Sequence, residues 1–306
     1  MNKRQKQVQK SLLNNELAVM KALEKSYEEA IAEIDDVILE LLARKDVQNI
    51  QSIIYQLKYQ EHIKKELEEL LEVLHENNYT TIDDYLNDCY ANGQIGTLFD
   101  LQGQGIPLII PLDQEQVISA ITLNSKLKAP LYYELGYNVD ALKLDITREL
   151  SRGIAQSLSY QEIARNLKNI TGVDMNKTMR IARTEGHRVS QEATYNTQLK
   201  ALERGAEIVK VWDSTLDGRT RDSHRSLDGE VREVHEKFSN GLLYPSDPNG
   251  SAGEVINCRC CLLQIARWDL EEGFTKMNGK TNEIQYFKNI EDYKEFTKEF
   301  WKVTKW

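Results

Sequence analysis

The sequence predicts a mainly helical α+β protein, and three stretches of the 306-residue chain carry this prediction. Residues 1–78 contain neither proline nor glycine and repeat apolar side chains at three- and four-residue steps, which is typical of long amphipathic helices. Helical spacing returns over residues 140–204. Short segments rich in β-branched and aromatic residues then follow between Ile208 and Ile265, which indicates a small β-sheet packed on helices.

The first predicted domain, residues 1–78, is a long-helix arm. Its second half carries an apolar stripe at helical spacing, formed by Ile53, Ile54, Leu57, Ile63, Leu67, Leu70, Leu71 and Leu74. Such a stripe usually packs into a core of its own, but it also suits docking onto a larger assembly. Both interpretations remain open at this point.

The second predicted region, residues 79–139, is a connecting or small mixed region. A turn-forming segment around Gly105 precedes an apolar run between Pro107 and Pro111, which is typical of a short extended piece because proline interrupts helices.

The third predicted domain spans residues 140–272. The spacing of Ser159 and Glu162 is that of a capping box and predicts the start of a short helix. A second helix is predicted from Met175 to Arg204, with Asp174 as its cap and a glycine stop directly after it.

Three strands and a last helix complete the predicted fold. The strands are expected at 208–212, 230–234 and 256–265. Residues 273–306 interleave lysine and glutamate with aromatic side chains, which predicts a C-terminal helix with an aromatic face. No stretch reaches the roughly 18 apolar residues of a membrane span, and no signal peptide is recognisable, so we expect no membrane association.

An ordered set of short motifs lies between Arg180 and Cys261. In chain order they are Arg183-Thr184-Glu185, Gly205-Ala206, Lys210-Val211-Trp212, Asp217-Gly218-Arg219-Thr220-Arg221, His224, Leu227-Asp228-Gly229, Pro245-Ser246-Asp247-Pro248 and Gly253-Glu254-Val255-Ile256-Asn257-Cys258-Arg259-Cys260. This succession resembles the phage Mu F-like minor head protein (phage head morphogenesis) family. The order and spacing of many weak motifs carry the resemblance, and no single motif is specific.

The resemblance implies a low-copy minor structural protein of a tailed-phage head that joins the portal in the procapsid and assists head morphogenesis, DNA packaging or ejection. It implies the portal protein as the main partner, with the scaffold or major capsid protein and packaged DNA as further partners. The expected location is the capsid interior or portal vicinity, after assembly in the host cytoplasm. A net charge of −9 disfavours bulk coating of DNA and favours a protein partner.

A candidate zinc site lies within the motif segment. If Cys258 and Cys260 lie on a strand, both thiols point to the same face, and His224 offers a third ligand. Asp217 is the candidate fourth ligand, with Asp228 and His235 as alternatives. A second interpretation treats the two cysteines as small buried core residues and His224 as a local hydrogen-bonding group.

A charged loop and a helical cluster are further candidates. Phosphate binding and loop pinning by a polar network are both open for Arg219, Arg221, Arg225 and Asp228. On the preceding helix, Arg183, Glu185 and Arg188 form a charged cluster, in which the spacing favours ion pairs of Arg188 with Glu185 and Glu192 over an acid/base site.

Enzyme signatures are missing from the sequence. It contains no Gly-rich phosphate loop, His-Glu-x-x-His pair or nucleophile elbow, so we expect no enzymatic activity. The competing hypothesis is a metal-dependent nuclease or a toxin-like effector enzyme that uses His224, Asp217 and the cysteines, because F-like domains are also found joined to toxin domains.

Overall fold

The computed structural model describes residues 1–43, 53–122, 131–155, 160–272, 274–277 and 284–287. Five longer helices come first: α1 (Lys3–Ala43), α2 (Ile53–Gly103), α3 (Gln114–Thr122), α4 (Leu131–Ala155) and α5 (Tyr160–Glu203). Then come β1 (Ile208–Asp213), α6 (Asp222–Arg225), β2 (Val231–Arg232), α7 (Ala252–Val255), β3 (Cys261–Ala266), a 3-10 helix (Arg267–Glu272), β4 (Phe274–Met277) and β5 (Ile284–Phe287). The predicted mainly helical α+β class is confirmed.

Two compact units make up the chain. The first contains Met1–Asn15, Leu86–Lys126 and Arg183–Trp306, and the second contains Glu16–Tyr85 and Leu127–Ala182. None of the helices in the described part of the chain combines the length and apolar character needed to cross a membrane. The four predicted domain ranges stay predictions.

The second unit has an all-helical core. Its buried members are Tyr27, Ala30, Ile34, Leu67, Leu71, Leu74, Val139, Leu142, Ile146, Ile163 and Leu167. Three residues of the predicted apolar stripe therefore pack into the unit's own core, and Leu70 packs against it. The side chains of Ile53, Ile54, Leu57 and Ile63 lie outside the described residues.

Asp174 does not cap a helix, contrary to the sequence-based prediction. It lies inside α5, which runs unbroken from Tyr160 to Glu203 in place of the two predicted helices. The Asp174 carboxylate accepts a hydrogen bond from the Tyr27 hydroxyl at 2.8 Å and is 3 % exposed. A buried partner from another helix has replaced the helix-end amides that a capping side chain would accept from.

The first unit is built around a three-stranded antiparallel sheet in the order β2-β1-β3. In its register Lys210 is opposite Gln264 on β3 and Arg232 on β2, and Trp212 is opposite Leu262. The first five residues of β1 are buried, so both faces of this strand are covered. Trp212 is fully buried in the core of the unit.

Several predicted element boundaries are wrong. Helix α2 runs through residue 78 and ends at Gly103, so the turn-forming segment around Gly105 begins only after it. The third strand begins only at Cys261, and a left-handed φ of 54° at Asn257 interrupts the extended backbone that was predicted there. The second strand is limited to Val231–Arg232. In contrast, Gly205 follows the end of α5 with a φ of 83°, as expected of a glycine stop.

The predicted C-terminal aromatic helix is wrong where it can be compared. Strands β4 and β5 pair antiparallel there, with Phe274 opposite Phe287. The later part of the predicted helix, from residue 288 onward, lies outside the described residues.

Candidate metal centre

His224, Cys258 and Cys260 come together in the first unit. The His224 Nδ1 atom lies 3.6 Å from the Cys258 Sγ atom and 3.3 Å from the Cys260 Sγ atom. All three potential ligand atoms lie within 4.8 Å of one another, and all three residues are buried. In the described part of the chain, this is the one group of three or more such residues with metal-binding spacing.

The backbone around His224 is fixed by a serine at the end of β1. The Ser214 hydroxyl donates to the carbonyl oxygen of His224 at 2.7 Å and accepts from the Trp212 indole N–H at 3.1 Å. The backbone N–H of Ser214 donates to the Asp228 carboxylate at 2.6 Å. The edge of the Trp212 ring also contacts the His224 ring, with centroids 5.5 Å apart. These contacts hold the short helix α6 against the sheet.

The cysteine segment is held by one face of α5. The His187 Nε2–H donates to the carbonyl oxygen of Cys260 at 2.9 Å, and the Gln191 side-chain oxygen accepts from the backbone N–H of Leu262 at 2.6 Å. The left-handed Asn257 turns the chain just before Cys258. Cys258 and Cys260 therefore lie between this turn and the start of β3 at Cys261.

The second ring nitrogen of His224, Nε2, contacts a carboxylate. Its Nε2 atom lies 2.6 Å from a carboxylate oxygen of Glu254, which belongs to α7. An ionised carboxylate only accepts hydrogen bonds, so Nε2 carries a hydrogen, and in the neutral form of this ring the Nδ1 lone pair faces both sulfur atoms. Burial lowers the pKa of His224, but the contacts with Cys260 and Glu254 outweigh burial and the net pKa is raised.

The two thiols are coupled. A hydrogen bond from Cys260 lowers the pKa of Cys258 to about 7, whereas the same contact, together with burial, raises the pKa of Cys260. A thiolate, and not a thiol, is the metal-binding form of cysteine. The Ser214 hydroxyl lies 3.5 Å from the Cys260 sulfur.

Asp217, the predicted fourth ligand, lies apart from this cluster. Its two carboxylate oxygens accept hydrogen bonds of 2.6 and 2.7 Å from the Arg259 guanidinium. This pairing holds the pKa of Asp217 well below its usual range. Neither alternative belongs to the group of three, since Asp228 accepts from the backbone N–H of Ser214 and His235 is exposed.

The charged loop is pinned by its own polar groups. Arg225 donates to the carbonyl oxygen of Asp217 at 2.8 Å, and Arg221 donates to the carbonyl oxygen of Ile256. The backbone N–H of Arg219 donates to the Asp217 carboxylate at 2.8 Å, and the Arg219 side chain is exposed. The contacts of Arg221 and Arg225 support the interpretation that polar groups hold the loop in place. Phosphate binding stays a prediction.

Arg188 forms the expected ion pairs on α5. Its guanidinium bonds Glu185 and Glu192, each at 2.9 Å, and donates to the carbonyl oxygen of Ala120 at 2.6 Å. The Arg188 side chain is fully buried. Arg183 of the same predicted cluster is half-buried. The geometry is that of a buried structural network.

Two residues of the site were missed from the sequence. Glu254 was part of a quoted motif without a role, and Ser214 was not singled out. Glu254 lies 30 residues after His224, and no local periodicity connects such positions. Its place three residues before Asn257, as the one acidic residue between Ser251 and Cys261, was the available signal.

Fold and site together define a mainly helical α+β protein with a small antiparallel sheet and a buried His/Cys/Cys cluster beside it. Residues 144–263 match the family model described as Phage Mu protein F like protein. This match confirms the resemblance seen in the sequence.

Three curated relatives show the range of proteins that resemble the chain. It is 30 % identical over 223 residues to NAD(+)--arginine ADP-ribosyltransferase EFV of Enterococcus faecalis, covering 71 % of this chain and 44 % of the relative. It is 26 % identical over 210 residues to Minor head protein GP7 of Bacillus phage SPP1, covering 66 % and 62 %. It is 28 % identical over 123 residues to Uncharacterized protein YqbB of Bacillus subtilis, covering 38 % and 39 %.

The chain spans less than two thirds of the length of each of these curated relatives. No solved structure shows a significant match. The expectation that the chain lacks enzymatic activity is wrong in the light of the first relative, which is named an ADP-ribosyltransferase. The absence of short catalytic motifs excludes only those enzyme classes that short motifs identify.

Proposed function

We propose that the protein is a low-copy minor structural component of a phage head. The observation that carries this proposal is the Phage Mu F-like match over residues 144–263, together with the similarity to a phage minor head protein. In this role the chain joins the portal protein in the procapsid and assists head morphogenesis and DNA packaging or ejection. It resides in the capsid interior or near the portal after assembly in the host cytoplasm.

The charge of the chain favours protein partners. At a net charge of −9 it is repelled by DNA at long range, so its main contact is the portal, with the scaffold or major capsid protein as further partners. Contacts with packaged DNA are local and involve exposed cations such as Arg219.

Co-assembly with the portal tests the head role directly. The tagged chain is co-expressed with the portal protein encoded beside it, and the complex is purified at 0.15 M and 0.5 M salt. We expect a stoichiometric complex at both salt concentrations. Purified heads should also contain the chain in fewer copies than the major capsid protein. A chain that neither binds the portal nor enters heads contradicts the proposal.

The His224, Cys258 and Cys260 cluster is proposed to hold Zn²⁺. Two thiolates and one imidazole are typical zinc ligands, and Zn–S and Zn–N bonds of about 2.3 and 2.0 Å place sulfur and nitrogen roughly 3.5 Å apart around a tetrahedral ion. The observed separations of 3.6 and 3.3 Å fit this value. The bound ion would tie α6 to the segment before β3 and stabilise the sheet edge.

Metal content tests the zinc proposal. We expect one equivalent of zinc in the native chain, measured by mass spectrometry after gel filtration, and a loss of it in Cys260→Ser. The matched control is Cys261→Ser, because Cys261 is also buried but packs in a different cluster with Val211 and Leu263. Absence of zinc from the native chain after reconstitution contradicts the metal centre.

A second candidate function is ADP-ribosyl transfer from NAD⁺ to arginine. The observation that favours it is the 30 % identity over 223 residues to a relative named as such a transferase. Incubation of the purified chain with labelled NAD⁺ and an arginine-rich acceptor tests this activity. Label on arginine supports it, whereas an unlabelled acceptor, in a reaction where a known transferase labels it, excludes it under those conditions.

A further inference from the structure

Glu254 lies where a carboxylate can set the orientation and basicity of a histidine ligand. Its Oε2 atom lies 2.6 Å from the His224 Nε2 atom, on the side of the ring that faces away from the two sulfur atoms. Metal-bound histidines commonly donate their second ring N–H to a carboxylate, which fixes the ring orientation and raises the basicity of the ligand nitrogen.

We propose that Glu254 is a positioning residue that makes the cluster of His224, Cys258 and Cys260 competent to bind a divalent metal of zinc type. It does so by holding the ring hydrogen on Nε2, which leaves Nδ1 free to act as the metal ligand. This inference rests on the zinc centre proposed above and assigns a role to a residue outside the ligand set.

Two tautomers of the neutral His224 ring compete in this site. With the hydrogen on Nδ1, the ring donates to Cys260 or Cys258, at 3.3 and 3.6 Å, and no nitrogen lone pair faces the cluster. With the hydrogen on Nε2, the ring donates to Glu254 over 2.6 Å. A hydrogen bond to a carboxylate is shorter and stronger than one to sulfur, so Glu254 selects the metal-binding tautomer.

Local structure holds Glu254 in place. It lies on α7, whose backbone N–H at Glu254 donates to the carbonyl oxygen of Ser251 at 2.9 Å. The Ser223 hydroxyl donates to both carboxylate oxygens, at 3.2 and 3.4 Å. Arg221 donates to the carbonyl oxygen of Ile256 and so links the end of α7 to the residues that precede α6. The carboxylate and the ring therefore belong to two segments that are linked at several points.

The test compares zinc affinity in native protein, Glu254→Gln and Glu254→Ala, by competition with a chromophoric chelator. Glu233→Gln is the matched control, because Glu233 is an exposed glutamate that pairs with Arg267 outside the cluster. Loss of such a carboxylate partner typically weakens metal affinity about 10–100-fold. We expect a loss of this size in both Glu254 variants and none in the control.

Two further readouts separate positioning from a general loss of structure. Imidazole ¹⁵N shifts of the metal-free protein report the tautomer, and we expect the His224 hydrogen to leave Nε2 in Glu254→Ala while the other histidines are unchanged. With Co²⁺ as the probe, the sulfur-to-metal absorption should persist in Glu254→Gln at saturating metal, because both thiolates remain.

Each outcome has a distinct meaning. If the native chain binds zinc and Glu254→Gln binds it equally tightly with an unchanged tautomer, the role of Glu254 is wrong and the zinc centre stands. If the native chain itself binds no zinc, both the proposed zinc centre and the proposed role of Glu254 are wrong.

Discussion

Asp217 and Arg259 form a two-pronged ion pair, with carboxylate–guanidinium distances of 2.6 and 2.7 Å. Arg259 lies between the two cysteines of the candidate metal centre, and Asp217 lies in the loop that leads to His224. The pair thus connects the two segments that supply the ligands without itself facing the cluster. Asp217 supports the site from outside.

Replacement of Asp217 by asparagine should loosen this connection and leave zinc binding intact. The pair is partly exposed, so we expect Asp217→Asn to lower the free energy of unfolding by about 0.5–1 kcal/mol at pH 7. Urea unfolding of the metal-free protein measures this effect, with Asp222→Asn as the control because Asp222 is more exposed. Zinc content should stay at one equivalent, and its loss would identify Asp217 as a ligand.

The pH dependence of the Asp217 effect follows from its lowered pKa. A carboxyl group whose pKa is depressed by folding stabilises the fold above its unfolded pKa, which is about 4, and this contribution is lost as the pH falls through the folded pKa. The stability difference between native protein and Asp217→Asn should therefore be constant from pH 5 to pH 7 and shrink below pH 4. A difference that grows on acidification contradicts this assignment.

Removal of metal should destabilise the first unit. A bound ion that joins α6 to the segment before β3 stabilises the folded state over the unfolded one by mass action. We expect a chelator to lower the Tm of the native chain and of Cys261→Ser, and to leave the Tm of Cys260→Ser unchanged. Differential scanning calorimetry with and without added zinc measures these shifts. Equal chelator effects on the two variants would mean that the metal binds elsewhere.

The composition of this centre was accessible from the sequence, but its geometry was not. His224, Cys258 and Cys260 were selected because their side chains are typical zinc ligands, and the structure brings them together. The prediction of a strand that includes both cysteines was wrong, because β3 begins only at Cys261 and the left-handed Asn257 precedes Cys258. Asparagine adopts a positive φ more often than most residues do, but the residue type alone does not show that it does so here.

Helical periodicity predicted the helices but not their ends. The stripe of Leu67, Leu71 and Leu74 was visible because burial on one face repeats with the helix period. The unbroken course of α5 was not visible, because Asp174 looked like a cap until Tyr27 supplied its partner. Contacts between residues that are distant in sequence, such as that of Glu254 with His224, also could not be predicted from local sequence patterns.

Arg188 should be among the most sensitive positions of the fold. Its guanidinium is fully buried between Glu185 and Glu192. Arg188→Ala leaves two buried carboxylates without their cation, which typically costs about 3–5 kcal/mol. The exposed Arg204 gives the control, since Arg204→Ala should change the free energy of unfolding by less than about 0.5 kcal/mol. Adding Glu185→Gln and Glu192→Gln to Arg188→Met should recover part of the loss in urea unfolding.

Lys210 should make the stability of the first unit increase in mild alkali. Its ammonium group is buried, donates to the carbonyl oxygen of Leu243 at 2.7 Å and lies 5.1 and 4.9 Å from the ring centroids of Tyr195 and Phe238. Burial lowers the pKa of Lys210 to about 8, although Asp247 and Glu236 oppose this shift.

The sign of this dependence follows from proton binding. Between pH 8 and about 10.4 the unfolded chain keeps the Lys210 proton and the folded chain loses it, so stability rises with pH over that window. Lys210→Met abolishes the rise, whereas Lys200→Met, at a partly exposed lysine on α5, retains it. We expect the stability of native protein relative to Lys210→Met to increase by on the order of 1–2 kcal/mol from pH 7.5 to pH 9.5 in urea unfolding. An unchanged difference over this range would mean that Lys210 keeps its proton in the folded state, held there by the Leu243 carbonyl and the two aromatic rings.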